Sequence, residues 1–406
     1  MLRVATVAAV FATLAPIRPP LPRAKGVPAS VVVFEASNTT AWPCFRVPSA
    51  VAIPGTDRVL AFAECRKWAG DGCVVAGARA AKSAADMKNR SICARISNNG
   101  GATWGELNPN ITQVPSANPS AVFDVNKKRI TVSYDNTITG GIALTHSDDL
   151  GETWGRTVPA RFPNGSAVVA AAGPGNGLVL LPGSGESGES ELNLGIYNCN
   201  RFPAQPNHSF GDARVISSRD GGRTWTSSSR FAHLGEPSLT ALPRGELLLD
   251  TRCPDGRKYE PGPAAPCSCD CRATAVRSAN GVWSDVAYDK GVPDPSSQGA
   301  VLGLGGGRVA FTNPSDRTER KNLTLQLGSV RAGSGPMIAF DDAVPISGGE
   351  VEAMYSALYA TRSGGIGVLW ESQGDVPLSQ CNDTGVYGNE SGKPGACQIR
   401  LSIVNT

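Results

Sequence analysis

The chain has 406 residues, with 38 Lys and Arg against 35 Asp and Glu, and its formal net charge at pH 7 is +3. Without a dense basic run, this balance makes nucleic acid an unexpected partner. The three histidines, His146, His208 and His233, are scattered and leave little material for a histidine-based metal site or triad. The 47 Gly and 30 Pro favour many short strands joined by turns.

The N-terminal residues have the pattern of a secretory signal. A basic start at Arg3 precedes an apolar run over residues 4–17, which is too short to cross a bilayer, and Pro-rich sequence follows. We therefore assign residues 1–25 to a signal peptide and residues 26–406 to one domain. A transit peptide is the alternative, and no later segment is long and apolar enough for a membrane span.

Sequons and cysteines also favour the secretory route. Eight N-x-Ser/Thr sequons begin at Asn38, Asn89, Asn110, Asn164, Asn207, Asn322, Asn382 and Asn389. The eleven cysteines are an odd number, so at least one thiol is free or paired with another chain. The cluster Cys267-Ser268-Cys269-Asp270-Cys271 is compatible with a metal site, but disulfides with Cys253 or other partners are favoured in an oxidising compartment.

Short apolar runs predict strands along most of the chain, and helical periodicity is absent except near residues 78–87. The predicted strands cover residues 31–34, 59–63, 92–96, 130–134, 142–145, 214–217, 239–242, 247–250, 308–311, 323–327, 355–360, 366–370 and 399–404. Residues 183–210 are rich in Gly, Ser and Glu and then in Pro and Asn, which predicts a surface insertion. The fold class is therefore predicted to be all-β.

An eight-residue repeat, Ser-x-Asp/Asn-x-Gly-x-Thr-Trp, begins at Ser97, Ser147 and Ser218, and a degenerate fourth copy covers residues 278–283. The Ser and Asx side chains can bond the local backbone, Gly permits a positive φ, and Thr and Trp suit the start of a strand. Each copy is predicted to form a hairpin turn with a buried aromatic residue. Repeats at this spacing indicate a propeller or another repeat array.

Together with the repeat, six motifs resemble the sialidase (neuraminidase) family, in which the repeat is called the Asp box. In family order they are Phe45-Arg46-Val47-Pro48; Ala61-Phe62-Ala63-Glu64-Cys65-Arg66 followed by Asp71; Gly235-Glu236-Pro237-Ser238-Leu239 with Arg252; Asn313-Pro314 with Arg320-Lys321-Asn322-Leu323-Thr324; Tyr355-Ser356-Ala357-Leu358; and Leu369-Trp370-Glu371. The resemblance runs from about residue 31 to the end. It implies a six-bladed β-propeller in which the N- and C-terminal strands close one blade.

The resemblance also implies an exo-alpha-sialidase that releases terminal sialic acids from glycans, glycoproteins or glycolipids with retention, and it implies no metal or cofactor. The implied catalytic residues are the acid Asp71, the base Glu236 and the nucleophile Tyr355. The implied substrate-binding residues are Arg46, Arg252 and Arg320, which bind the carboxylate, with Arg66 and Asn118 as further contacts; Glu371 is expected to orient Arg46.

These residue types suit the chemistry of a sugar that carries a carboxylate on its anomeric carbon. Guanidinium groups bind carboxylates with charge-assisted and partly bidentate hydrogen bonds. That carboxylate would repel a carboxylate nucleophile, whereas tyrosine attacks as a neutral group. Because the ordinary pKa of tyrosine is about 10, a base must accept its proton near neutral pH.

Several alternatives stay open at this stage. Asn99 replaces Asp in the first Asp box, Tyr359 competes with Tyr355, and Arg317 competes with Arg320 but is not followed by Asn-Leu-Thr. Cysteines beside the motifs are expected to brace the site by disulfides; they are Cys44, Cys65, Cys73 and Cys253. A trans-sialidase, a sialidase that prefers the deaminated sugar Kdn, and a non-catalytic sialic-acid-binding propeller are the rival functions. The expected location is secreted or in a lysosome-like compartment.

Overall fold

The computed structural model describes residues 26–37, 41–70, 72–73, 88–181, 190–199, 210–253, 271–331, 337–349, 351–372 and 398–405. Within these ranges the backbone forms strands, turns and one 3-10 turn at Pro243–Gly245. The strands pair into six antiparallel sheets that stand around a common axis as the blades of a propeller. The predicted six-bladed β-propeller is therefore confirmed.

The first three blades follow one another along the chain. Blade 1 contains β2 (Cys44–Ala52), β3 (Val59–Arg66) and β4 (Arg90–Ser97), and blade 2 contains β5 (Ser116–Asp124), β6 (Arg129–Asn136), β7 (Gly141–Ser147) and β8 (Val158–Pro159). Blade 3 contains β9 (Ala171–Ala172), β10 (Leu178–Leu181), β11 (Glu191–Cys199), β12 (Phe210–Ser218), β13 (Thr226–Ser227) and β14 (Phe231–Ala232). Its innermost strand is split into β9 and β10, which both pair with β11.

The last three blades complete the ring. Blade 4 contains β15 (Gly235–Ala241), β16 (Leu247–Arg252), β17 (Arg272–Arg277) and β18 (Ala287–Asp289), and blade 5 contains β19 (Ala300–Gly305), β20 (Arg308–Pro314), β21 (Leu323–Val330) and β22 (Ile338–Pro345). Blade 6 contains β23 (Ala353–Ala360), β24 (Ile366–Ser372), β25 (Gln398–Val404) and β1 (Ser30–Glu35). Because β1 pairs with β25, the two ends of the described chain close one blade, as predicted.

Each blade buries both of its faces against its neighbours, and in the described ranges one apolar cluster lies between each pair of adjacent blades. A small seventh cluster contains Val47, Met354 and Tyr355. In β3, for example, Val59 and Ala61 contact blade 6, whereas Leu60 and Phe62 contact blade 2. A strand with two buried faces needs apolar side chains at successive positions rather than at alternate ones. This requirement explains why the strands appear in the sequence as short continuous apolar runs.

The segment 173–177, which interrupts the inner strand of blade 3, crosses the centre of the propeller. The carbonyl of Gly175 accepts hydrogen bonds from Ser49 Oγ (3.1 Å) and Ser120 Oγ (3.3 Å) on the inner strands of blades 1 and 2. Asn176 pairs its side chain with the backbone of Leu358 in blade 6 through two bonds of 2.9 Å, and its carbonyl accepts from the N–H of Leu239 in blade 4 (2.7 Å). The segment thus joins four inner strands.

The three Asp boxes follow the third strands of blades 1, 2 and 3. In the second box, Ser147 Oγ donates to Asp149 Oδ1 (2.8 Å) and accepts from the N–H of Gly151 (2.7 Å). Hydrogen bonds from Thr153 lower the pKa of Asp149 to about 2. In the first box Asn99 Oδ1 accepts from the N–H of Thr103 (2.9 Å), so the amide replaces the carboxylate as an acceptor.

Each box also packs its blade against the preceding one. Trp154 meets Phe62 of blade 1 edge to face, with ring centroids 5.7 Å apart. Trp104 packs into the cluster between blades 6 and 1, and Trp225 is buried between blades 2 and 3. In the degenerate fourth copy Trp283 meets Phe231 of blade 3 edge to face, with centroids 5.2 Å apart. The repeat therefore contributes to the contact between blades as well as to the turn.

The predicted surface insertion at residues 183–210 is wrong in part. Residues 191–199 form β11, which pairs with β10, β9 and β12 inside blade 3. The Gly/Ser-rich and Pro/Asn-rich composition on either side hid a strand that contains two asparagines. The proposed helical stretch at residues 78–87 and the signal peptide at residues 1–25 lie outside the described residues. No helix in the described ranges is long and apolar enough to cross a membrane.

Adjacent glycines in the first Asp box provide a matched test of this packing. A Cβ on Gly101 would overlap Leu401 of blade 6 at a φ of +96°, whereas a Cβ on Gly100 would meet nothing within 4 Å at a φ of +71°. Because Leu401 is buried, we expect Gly101→Ala to lower the free energy of unfolding by about 1–3 kcal/mol more than Gly100→Ala. Urea unfolding of both variants measures the difference, and equal midpoints would contradict the inter-blade role.

Candidate active site

Four inner strands are irregular near their first residues, at one end of the propeller. The register of each with its neighbouring strand shifts between Arg46 and Ser49, Ala117 and Ser120, Gly235 and Ser238, and Ala353 and Ser356. Three residues at these bulges have a positive φ: Val47 (56°), Asn118 (51°) and Glu236 (41°). Bulges redirect side chains, and a positive φ at a residue other than Gly is uncommon. The same distortion therefore occurs at the same end of four blades.

Antiparallel pairing brings the last residues of the second strands to this same end. Arg66 ends β3, Arg252 ends β16, and Glu371 is the penultimate residue of β24. Arg320 lies between β20 and β21, and its carbonyl accepts a hydrogen bond from the N–H of Ala353 (2.8 Å) at the start of β23. The Asp boxes follow the last residues of third strands and so lie at the opposite end of the propeller.

Tyr355 is the centre of the site and is 8% exposed. Its hydroxyl donates a short hydrogen bond to Glu236 Oε1 and accepts one from Arg252 Nη1 (3.2 Å). The guanidinium carbons of Arg46 and Arg320 lie 5.3 Å and 5.8 Å from the centroid of its ring. One buried phenol is thus in contact with a carboxylate and three guanidinium groups.

The electrostatic environment keeps the tyrosine neutral and the glutamate ionised. Burial, together with the charge of Glu236, raises the pKa of Tyr355 above its usual value, against the opposing effect of the three arginines. Burial also tends to raise the pKa of Glu236, but Arg252, the hydrogen bond from Tyr355 and Arg320 outweigh it and leave that pKa below its usual value. At neutral pH the phenolic proton therefore points to a carboxylate that can accept it.

A single buried carboxylate, Glu371, fixes two parts of the site. Its oxygens accept hydrogen bonds from Arg46 Nε (2.7 Å) and Arg46 Nη2 (3.0 Å), which is the bidentate geometry of an arginine–carboxylate pair. They also accept from the backbone N–H groups of Val47 (2.6 Å) and Tyr355 (3.1 Å). Glu371 therefore orients Arg46 and holds the backbone of Tyr355 beside it.

The other two arginines have different partners. Arg252 Nη1 donates to Glu236 Oε2 (2.7 Å), and Arg252 Nε donates to Ser296 Oγ (3.1 Å). Among the described residues, the side chain of Arg320 makes a single hydrogen bond, a long contact of 3.5 Å with the carbonyl of Ser296. Its described hydrogen bonds are therefore fewer and longer than those of Arg46 or Arg252.

Arg66 and Asn118 form a second polar cluster around Glu64. On β3, Glu64 lies directly opposite Arg46 of β2. Glu64 accepts from Arg66 Nη2 (2.7 Å), Arg90 Nη1 (3.4 Å) and the N–H of Asn118 (2.9 Å). The guanidinium of Arg66 stacks over the ring of Trp68, 4.8 Å from its centroid. The structure therefore joins Arg66 and Asn118 to each other through Glu64.

Asp71 lies outside the described residues, but the two residues after it are described. A Cβ on Gly72 would lie 2.5 Å from Arg46 Nη1, so the backbone at this position closely approaches that guanidinium. Cys73 forms a disulfide with Cys44, and Cys65 forms one with Cys93. The expected bracing by disulfides is therefore confirmed for Cys44, Cys65 and Cys73; Cys267 and Cys269 lie outside the described residues.

The competing candidates have other surroundings. The Tyr359 hydroxyl is buried without a hydrogen-bond partner in the described part of the chain, and its ring lies over Gly367 within the cluster between blades 1 and 6. Arg317 is exposed and donates to the carbonyl of Lys290 (3.1 Å). Neither residue contacts the Glu236–Tyr355 pair among the described contacts.

The sequence alone suggested no role for three polar residues of the site, although Glu64 belongs to the motif that ends at Arg66. Glu64 was visible as the acid two residues before Arg66 on one strand, a spacing that places both side chains on one face. Asp135 accepts from Asn118 Nδ2 (2.9 Å) and the N–H of Ala172, and Ser296 contacts two arginines. Asp135 and Ser296 are distant in sequence from their partners, so nothing in the local pattern indicates them.

Comparisons with known proteins find relatives that are named sialidases, the family that the motifs resemble. No family model matches the chain. An exo-alpha-sialidase of Aspergillus fumigatus is 27% identical over 357 residues, which are 81% of this chain and 78% of the relative. An exo-alpha-sialidase of Arthroderma benhamiae is 26% identical over 311 residues, or 70% of this chain and 66% of the relative. The solved intramolecular trans-sialidase from Ruminococcus gnavus, in complex with oseltamivir carboxylate, aligns with a TM-score of 0.63 over 93% of this chain and 97% of that chain, at 16% identity.

At 16% identity the structural similarity supports the fold alone. The two curated relatives, by contrast, are similar in sequence and are both named exo-alpha-sialidase. The motifs, the propeller and the two relatives agree in their similarity to the sialidases, a class of glycoside hydrolases. The resemblance of this chain to the sialidases is confirmed by these relatives and by the fold.

Removing the charge of Glu371 tests whether it anchors the site. Glu371→Gln removes the charge from the buried, bidentate pair with Arg46, so we expect the free energy of unfolding to fall by roughly 3–5 kcal/mol. The matched control is Glu152→Gln, which removes an ion pair with Arg58. Because the Glu152 side chain is 63% exposed, this change should lower the free energy of unfolding by less than about 1 kcal/mol. Urea titration measures both, and a small, equal loss would argue against the anchor.

The pH dependence of stability tests Asp135. Burial raises the pKa of Asp135 to about 7, with Glu64 adding to the rise and Ala172, Arg90 and Asn118 opposing it. Since the folded pKa lies above the unfolded one, this group makes the fold less stable as the pH rises from about 4 to 7. Asp135→Asn should therefore gain stability relative to wild type between pH 5 and pH 8, by on the order of 2 kcal/mol.

The control for this measurement is Asp149→Asn, which installs the residue that the first Asp box carries naturally. The pKa of Asp149 is about 2, so this carboxyl stays ionised throughout the range from pH 5 to pH 8. Its variant should differ from wild type by a constant amount across that range. A difference for Asp135→Asn that is equally flat would show that Asp135 does not titrate there.

Proposed function

We propose that the protein is an exo-alpha-sialidase that releases terminal alpha-linked sialic acids with retention, through a covalent sialyl-tyrosine intermediate. The observation that carries the proposal is the contact of the Tyr355 hydroxyl with Glu236, surrounded by Arg46, Arg252 and Arg320. The roles of these residues are part of the proposal, and each follows from the chemistry of the substrate.

The three arginines bind the substrate carboxylate. Their guanidinium groups converge on the ring and hydroxyl of Tyr355 from three blades, and in the described structure Glu371 pairs with Arg46 and Glu236 with Arg252. An anion that enters this largely buried site exchanges its water for charge-assisted hydrogen bonds. The carboxylate of a sialoside is attached to the anomeric carbon, so its capture places that carbon beside the Tyr355 hydroxyl.

Tyr355 attacks the anomeric carbon as its proton passes to Glu236. The neutral phenol is not repelled by the adjacent substrate carboxylate, and the ionised Glu236 is already its hydrogen-bond acceptor. Asp71 donates a proton to the departing glycosidic oxygen, which leaves as an alcohol. In the second half, Asp71 takes a proton from water, the water oxygen displaces the tyrosine, and Glu236 returns the proton to the phenolate. Two displacements at one carbon give retention.

The role of Asp71 is supported by its neighbours in the chain. Gly72 lies against the Arg46 guanidinium, and the disulfide of Cys73 to Cys44 attaches this segment to the strand that carries Arg46. Arg66 and Asn118, held together by Glu64, are proposed to contact the rest of the sugar. We further propose secretion: the sequon residues Asn89, Asn110 and Asn164 are exposed, as glycosylation requires, and disulfides form in that compartment.

Replacing Tyr355 by Phe tests the nucleophile. With 4-methylumbelliferyl alpha-N-acetylneuraminide as substrate, we expect Tyr355→Phe to lower kcat/KM by on the order of a thousandfold or more, because the attacking oxygen is lost. Tyr359→Phe is the matched control, since it removes a buried hydroxyl that has no partner in the described structure, and it should retain activity. Proton NMR of the first product should show the alpha anomer before it mutarotates.

Other outcomes would separate the rival functions. Full activity in Tyr355→Phe would reject the nucleophile, and an initial beta anomer would reject retention. A folded wild type that cleaves only Kdn glycosides would identify the Kdn-preferring alternative, and transfer to added lactose would identify a trans-sialidase. Binding of sialic acid without any turnover would identify a non-catalytic propeller.

A further inference from the structure

The connection between β18 and β19 passes beneath the site as a buried polar segment, residues 294–298. The side chains of Asp294, Ser296, Ser297 and Gln298 are 0–3% exposed, although the segment joins two blades and has the composition of a surface loop. Burial of so many polar groups is unfavourable unless each finds a partner. The described partners of this segment belong to blades 4, 5 and 6 and, through the carbonyl of Pro174 (3.5 Å), to the segment that interrupts the inner strand of blade 3.

Arg272 of β17 fixes the segment from below. Its Nη1 donates to Asp294 Oδ2 and to the carbonyl of Ser297, each at 2.6 Å, while Nε and Nη2 bind Asp250. Asp294 Oδ1 accepts from the N–H of Ser297 (2.8 Å), which closes a turn around Ser296. On the other side Gln298 exchanges hydrogen bonds with the backbone of Ser356, at 3.0 Å and 3.1 Å, next to the proposed nucleophile Tyr355.

Ser296 is the residue of this turn that faces the arginines. Its hydroxyl donates to the carbonyl of Cys253 (2.7 Å) and accepts from Arg252 Nε (3.1 Å). Its carbonyl accepts the long contact from Arg320 Nη2 (3.5 Å). Its φ of 58° is a left-handed conformation that residues other than glycine seldom adopt, and strain of this kind is retained where surrounding structure enforces it. One serine thus contacts arginines from blades 4 and 5.

We infer that Ser296 is a positioning residue that sets the distance and angle between Arg252 and Arg320 for binding the substrate carboxylate. Arg46 has Glu371 for this purpose, and Arg252 has Glu236, but Glu236 must accept a proton during the reaction. Ser296 provides an anchor whose charge does not change in the cycle. Its single proton is directed to Cys253, so its lone pairs are left to accept from Arg252. This inference rests on the proposed function, in which both arginines bind the carboxylate.

A purely structural role would be the alternative, and Ser297 provides the matched control. Ser297 is adjacent and fully buried, but its hydroxyl has no hydrogen-bond partner among the described residues. Ser297→Ala therefore removes the same atom from the same turn without touching either arginine. Ser296→Gly serves as a second variant, because it also removes the hydroxyl while it favours the left-handed φ.

The experiment compares wild type, Ser296→Ala, Ser296→Gly and Ser297→Ala. The readouts are kcat and KM for 4-methylumbelliferyl alpha-N-acetylneuraminide, the inhibition constants of N-acetylneuraminic acid and its methyl ester, and the midpoint of thermal unfolding. For both Ser296 variants we expect kcat/KM to fall about ten- to hundredfold, mainly through KM. The ratio of the two inhibition constants, ester over acid, should fall by a similar factor, because the ester lacks the negative charge that Arg252 and Arg320 bind. Ser297→Ala should match wild type in all of these.

Several results would overturn the inference. Kinetics for the Ser296 variants that match Ser297→Ala would do so, as would an equal loss of affinity for acid and ester, which indicates general damage to the fold. If Ser296→Ala does not fold, Ser296→Gly provides the same comparison. Wild-type kinetics in Ser296→Gly would also contradict the inference, because any loss of activity in Ser296→Ala would then come from backbone strain and not from the missing hydroxyl. A wild type that neither cleaves nor binds sialosides would reject the proposed function itself, before any serine variant is compared.

Discussion

Six inner strands can share one axis only if the polar groups that they turn towards it are satisfied. In this propeller the segment 173–177 provides that satisfaction, because Gly175 and Asn176 bond to inner strands of blades 1, 2, 4 and 6. The inner strands β2, β5, β15 and β23 carry Arg46, Asn118, Glu236 and Tyr355 near their first residues. The contacts at the axis therefore fix the relative positions of the strands from which the site projects.

The site itself is organised by a balance of charge in a largely dry environment. Burial makes each ion costly, so each buried charge has a specific partner. Glu371 neutralises Arg46, Glu236 neutralises Arg252, and Glu64 neutralises Arg66. Arg320 has no such carboxylate among its described contacts, which leaves positive charge at the position that the proposal gives to the substrate anion. Tyr355 stays neutral in this setting because burial and Glu236 oppose its ionisation.

Strain and bracing support this arrangement at the backbone. The left-handed residues Val47, Asn118, Glu236 and Ser296 all lie at the site, and each is held by hydrogen bonds or packing from another part of the chain. The disulfides of Cys44 and Cys65 hold the two strands of blade 1 that carry Arg46 and Arg66. At the opposite end of the propeller, the Asp boxes pack blades 1, 2 and 3 against the preceding blade, so the scaffold and the site occupy separate ends of the same strands.

The sequence by itself determined the strands that consist of apolar runs, because a strand with both faces buried must be apolar at successive positions. The Asp boxes, which follow the third strands of blades 1, 2 and 3, indicated a propeller or another repeat array, and the resemblance to the sialidases implied six blades. The motifs also named the candidate residues Arg46, Glu236, Arg252, Arg320, Tyr355 and Glu371 before any geometry was known. The sequence did not reveal β11, because the asparagines of this strand and the Gly/Ser-rich and Pro/Asn-rich sequence on either side resemble an insertion. Only the tertiary structure decided that Tyr355, rather than Tyr359, contacts a carboxylate. It also placed Glu64, Asp135 and Ser296 around residues that lie up to 54 positions away in the chain. The physical reason is that a propeller brings together the first residues of strands from different blades. Side-chain contacts between residues so far apart in the chain produce no local pattern in the sequence.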